Sequence, residues 1–69
     1  MKIKVNGREK EIELSEENAL LSKTLQLMGY KPNTVVVEHN NLVVNSKKWK
    51  DVHLKDGDKL EIVSIVGGG

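Results

Sequence analysis

Cysteine and phenylalanine are absent from the 69-residue chain, and one proline, one tryptophan and one tyrosine complete its short supply of special residues. Without cysteine no disulfide can staple the fold, so a core must hold it alone, which suits a reducing compartment and points to the cytoplasm. The same lack means that any sulfur or acyl group this protein handles cannot ride on a thiol of its own. Few aromatics leave an aliphatic core of Val, Ile and Leu. At this length only about 60% of the unfolded surface can be buried, near the lower limit for independent folding. An excess of either charge is also lacking. Eleven basic residues face ten acidic ones for a net charge of +1, which argues against nucleic acid or an anionic membrane as partner. The short cluster Lys47, Lys48 and Lys50 reads as a solvated surface. No apolar run approaches the roughly 20 residues of a membrane span, and the opening MKIKVNG, with its alternating charge, is not a signal peptide.

What is present divides into elements by period. Residues 2–14 read as a hairpin, because Ile3, Val5, Ile12 and Leu14 alternate with charged residues around Asn6-Gly7, a pair that tolerates positive φ. In SEENALLSKTLQLMGY the period changes: Leu20, Leu21, Thr24, Leu25 and Met28 recur at helical spacing. Ser15 or Asn18 can cap this helix, and Gly29 and Pro32 can end it. The run Thr34–Glu38, dense in β-branched residues, predicts a strand buried on both faces. His39-Asn40-Asn41 turns the chain into Leu42-Val43-Val44. The stretch NSKKWKDVHL has no clean period and predicts an irregular crossing with one helical turn, Trp49 closing the core edge. Lys55-Asp56-Gly57-Asp58 is a turn, and Lys59–Val66 is the last strand. The order ββαββ, with one helix across one face of a mixed sheet and the first and last strands as central neighbours, is an α+β fold of β-grasp type. The expected division is a domain over 1–66 and a flexible tail over 67–69.

A conventional active site has no support. His39 and His53 lack further ligands at metal spacing and read as surface histidines. Asp56 and Asp58 flank a glycine, but the other positions of a calcium loop are missing. The serines have no histidine context, and the terminal glycines cannot be a phosphate loop without a following helix. The protein is therefore expected not to be an enzyme, and to bind no metal or cofactor itself.

The closing residues VSIVGGG offer different chemistry. Glycine has no Cβ, so an extended Gly-Gly tail can thread a narrow channel and present an unhindered terminal carbonyl. A carboxylate is unreactive at neutral pH until a partner activates it, most simply as an acyl-adenylate. Together with VVVEHNNLVVNSKKW and LKDGDKLEIV, and with the Asn-Gly hairpin and paired leucines upstream, this ending resembles the ThiS family of sulfur carriers of thiamine (thiazole) biosynthesis. The likeness runs over essentially the whole chain, although DGD and a final Gly-Gly recur across ubiquitin-like carriers.

The resemblance implies that the Gly69 carboxylate is the working group, with Gly67 and Gly68 threading a partner's channel. It implies an adenylating partner related to ubiquitin-activating enzymes (ThiF-type) that uses ATP and magnesium. It implies a sulfur source in a cysteine desulfurase persulfide and a thiazole synthase (ThiG-type) that receives sulfur from the thiocarboxylate. Val63, Ile65 and Val66, just before the tail, are candidates for docking the activating enzyme if their strand lies near a sheet edge; packing in the core is the alternative. Glu38 and Glu61 could add charge steering or be ordinary solvated side chains. Free protein is expected to be monomeric. Two other classes stay open: a sulfur carrier for molybdopterin, whose members tend to be longer, and a ubiquitin-like modifier or binding domain.

Overall fold

A computed structural model of the protein describes residues 1–65. Its elements are β1 (Lys2–Val5), β2 (Arg8–Glu11), α1 (Leu21–Leu27), β3 (Val35–His39), β4 (Leu42–Val44) and β5 (Lys59–Ser64), with 3-10 helices at Glu16–Asn18 and Ser46–Asp51. The five strands form one mixed sheet in the order β2-β1-β5-β3-β4. β5 runs parallel to β1 and antiparallel to β3, while β1/β2 and β3/β4 are antiparallel hairpins. This is the β-grasp arrangement, an α+β fold with the last strand at the centre of the sheet.

Both hairpin turns are built on asparagine. Asn6 and Gly7 have φ of 52° and 82°, and Asn40 and Asn41 have φ of 50° and 74°. Positive φ at both central positions matches the twist of two-residue hairpins, and Asn is the non-glycine residue that tolerates it best.

The helix is shorter than its apolar period suggests. Leu20, expected inside it, instead makes an isolated antiparallel bridge with His53. Leu21 N–H donates to Val52 C=O at 2.7 Å, and Leu54 N–H donates to Ala19 C=O at 2.8 Å. Tertiary hydrogen bonds to the segment after Trp49 thus replace the first helical turn. Ser15 caps only the short 3-10 helix, with no side-chain hydrogen bond to its backbone, and α1 itself begins without a side-chain cap.

One face of the sheet carries the core. Ile3, Val5, Val35, Val37, Leu60 and Ile62 point toward α1, where Leu21 and Leu25 are fully buried. Trp49 closes one edge as expected, with its indole Nε1–H donating to Val44 C=O at 3.0 Å. Thr24 is buried within this layer, and its hydroxyl has no hydrogen-bond partner among the described residues. The expectation that β3 is buried on both faces is not met, since Val36 is exposed and Glu38 is half-buried. The single helical layer covers one side of the sheet, and the described residues supply nothing to cover the other.

Candidate functional site

β5 leads out of the core toward the end of the chain, and its placement is held from both sides. On the β3 side the ladder runs from His39↔Leu60 to Val35↔Ser64, and Ile65 N–H continues it by donating to Thr34 C=O at 3.0 Å. On the β1 side the parallel ladder stops at Val5↔Leu60, because the chain turns at Asn6. The Asn6 side chain takes over there. Its Oδ1 accepts from Ile62 N–H at 2.7 Å, and its Nδ2 donates to Ile62 C=O at 3.2 Å. A carboxamide has the donor and acceptor of a peptide group, so Asn6 extends the ladder by one step. The Asn-Gly pair predicted the turn; this second task of Asn6 was not readable from it, because it depends on which strand lies alongside.

The start of β5 is fastened by a polar cluster that sequence reasoning missed. Asp58 Oδ2 lies 2.8 Å from His39 Nε2 and accepts from Lys55 N–H at 2.9 Å, and Asp58 Oδ1 accepts from Asn40 Nδ2 at 3.2 Å. Asn40 Oδ1 in turn accepts from Lys59 N–H at 2.9 Å. Burial by itself would raise the Asp58 pKa. The hydrogen bonds from His39, Lys55 and Asn40, with the charge of His39, outweigh it and hold the carboxyl below its ordinary value. His39 is therefore a partner in this cluster rather than an isolated surface histidine, and His53 is exposed, as expected. Asp56 Oδ1 accepts from Lys2 N–H at 2.7 Å, so the two aspartates of the DGD turn tie it to β1 and to the β3–β4 hairpin.

Of the residues expected to dock a partner, Val63 and Ile65 are within the described chain and are 59% and 54% exposed. The reason differs from the one anticipated. β5 is the central strand, not an edge, and these side chains are exposed because they alternate onto the uncovered face. Val36 is directly opposite Val63 across the β3–β5 ladder. Val36, Val43 and Ile65 line a shallow groove of about 370 Å³. Val66, Gly67, Gly68 and Gly69 lie outside the described residues.

A central strand fastened at both sides, an exposed apolar strip beside it and a sequence that ends on three glycines are followed along the whole chain by a known family. The ThiS family model matches residues 3–69. The chain belongs to the ThiS family. The sulfur carrier protein ThiS of Bacillus subtilis is 28% identical over 67 residues, covering 97% of this chain and 98% of that protein. The thiamine biosynthesis protein ThiS of Geobacter metallireducens, a crystal structure, superposes with a TM-score of 0.81 at 28% identity and full coverage of both chains. A thiazole synthase of Paramagnetospirillum magneticum is 39% identical over 70 residues. That match takes in all of this ThiS-family chain but 20% of the synthase, so the chain spans about a fifth of that relative.

Proposed function

We propose that this protein is a sulfur carrier of thiamine biosynthesis that acts as a co-substrate and not as an enzyme. The observation that carries the reading is family membership over residues 3–69, which reaches the glycine ending itself. It is supported by the full-length likeness to a sulfur carrier protein ThiS.

In this reading an adenylating enzyme binds the domain and draws Gly67 and Gly68 into its channel. A carboxylate oxygen of Gly69 attacks the α-phosphorus of ATP, held with magnesium by the enzyme, and pyrophosphate leaves. The acyl-adenylate carbonyl is then open to attack, because no Cβ crowds it. The outer sulfur of a cysteine desulfurase persulfide attacks this carbonyl and AMP leaves, which gives an acyl disulfide. A thiol reductant then cleaves the S–S bond and leaves the terminus as a thiocarboxylate. Thiazole synthase is the acceptor, a choice favoured by the thiazole synthase relative with a stretch 39% identical to this chain over its full length. The domain contributes a handle: Val63 and Ile65 meet the enzyme, and the β5 anchors hold the point from which the tail departs. All these steps belong to the cytoplasm.

The experiment is direct. The chain is incubated with ATP, magnesium, a sulfide source and an adenylating enzyme, and its intact mass is measured. Replacement of one oxygen by sulfur, localised to Gly69, is the expected result. No mass change while the enzyme loads its own cognate carrier would overturn the proposal. A chain bearing an extra residue after Gly69 is expected not to load. Transfer assays with thiazole synthase and molybdopterin synthase side by side separate the two pathways.

A further inference from the structure

The uncovered face of the sheet is divided by charge. On the β1–β2 half, opposite charges meet across the strands, Lys2 against Glu11 and Lys4 against Glu9. Around β5 the pattern breaks twice: Lys4 of β1 stands beside Lys59 of β5, and Glu38 of β3 stands directly opposite Glu61 of β5. Like charges at opposed positions work against a sheet. The ion pairs among the described residues are Met1 with Glu11 and His39 with Asp58, so neither glutamate is neutralised within them. Lys59, two residues back on the same face of β5, makes no ion pair with either. Alongside this acidic pair lies the apolar strip: Val36 and Val63 occupy the neighbouring cross-strand positions, 38% and 59% exposed, and Val43 is opposite Glu38 on β4 at 67%.

We infer that this face docks the adenylating enzyme through a guanidinium group set among aliphatic side chains. Glu38 and Glu61 together receive the group, while Val36, Val43, Val63 and Ile65 close around it and exclude water. The inference rests on the sulfur-carrier reading and names the chemistry of the partner's surface. Charge complementarity chooses the occupant. Two adjacent carboxylates bordered on one side by Val36, Val43 and Val63 would be left uncompensated under a neutral or acidic partner, so such partners are rejected. A planar fork of five N–H donors can bridge two carboxylates, which a compact ammonium does less well. Pairing with the guanidinium relieves the repulsion between Glu38 and Glu61. Because the pair sits one cross-strand row from Val63, the contact also sets the direction in which the tail enters the enzyme.

The test uses the 69-residue chain in ATP–pyrophosphate exchange with the adenylating enzyme. Glu38→Gln and Glu61→Gln are expected to raise the KM for the carrier about tenfold with kcat unchanged, and to flatten the rise of KM with salt. Glu9→Gln, on the other half of the face, is the control and is expected to behave as wild type. Both glutamine variants of the pair are expected to melt slightly higher than wild type, which a residue needed only for folding would not do. Wild-type exchange with unaltered KM and salt slope in Glu38→Gln and Glu61→Gln overturns the inference and leaves the carrier reading intact. No exchange by the wild type overturns both. Sedimentation that shows a dimer strengthened by either glutamine variant assigns the face to a second copy, which also overturns it.

Discussion

The Asp58 carboxylate has three partners in the free domain, yet its sequence context, KDGDK, announces only a turn. Its carboxylate joins His39 on β3, Asn40 in the β3–β4 turn and the Lys55 amide. Since the folded pKa is depressed, the ionised form is favoured by folding, and the stabilisation is full well above the ordinary value of 3.8. It is lost as pH falls through the lower folded value. Asp58→Asn is therefore expected to be less stable than wild type at neutral pH, with a gap that closes in acid. Urea midpoints from about pH 2 to about pH 7 measure it. A gap that does not change with pH would remove the ionic contribution and leave only hydrogen bonding.

Among elements, the decisive joint is between the first hairpin and β5. β1 ends before β5 does, and Asn6 covers the difference by pairing with both backbone groups of the buried Ile62. At an ordinary Asn-Gly turn, Asn→Gly would be nearly neutral, because φ of 52° suits glycine at least as well. Here Asn6→Gly is expected to cost about 1–2 kcal/mol, since the Ile62 N–H and C=O lose their partners. Chemical denaturation gives the magnitude, and faster amide exchange at Ile62 locates it. A loss below a few tenths of a kcal/mol would mean that water replaces the carboxamide without penalty. The shortened helix follows from the same competition. The helical period was legible from Leu20 to Met28, but Leu21 N–H and Ala19 C=O find strand-like partners in Val52 and Leu54. Local periodicity cannot announce a partner some thirty residues away.

At the scale of the molecule, one helical layer against a five-stranded sheet leaves the other face uncovered among the described residues. That arrangement converts Val63 and Ile65 from members of a strand run into surface residues without moving β5 from the centre. Replacing both by threonine keeps β-branching at two exposed positions, so stability should change by no more than about 0.5 kcal/mol. The KM for the carrier in adenylation should rise roughly threefold to tenfold if these side chains dock the enzyme. Unfolding curves and ATP–pyrophosphate exchange on one preparation check both halves of the expectation. Unchanged exchange would return the two residues to a purely structural reading.

By itself the sequence determined the class of fold, the two asparagine turns, the apolar positions of the core and the chemistry available at a glycine ending. These are matters of period, of the φ that a side chain permits, and of which functional groups exist in the chain. The central place of the last strand was expected from the element order, and the sheet has it there. Tertiary structure alone decided that the strip along β5 is open on one face among the described residues and that Asn6 and Asp58 tie the strand in place. Those outcomes depend on which strands become neighbours and how many layers cover them. They are set by contacts between residues far apart in sequence, as the Asn6–Ile62 pairing shows.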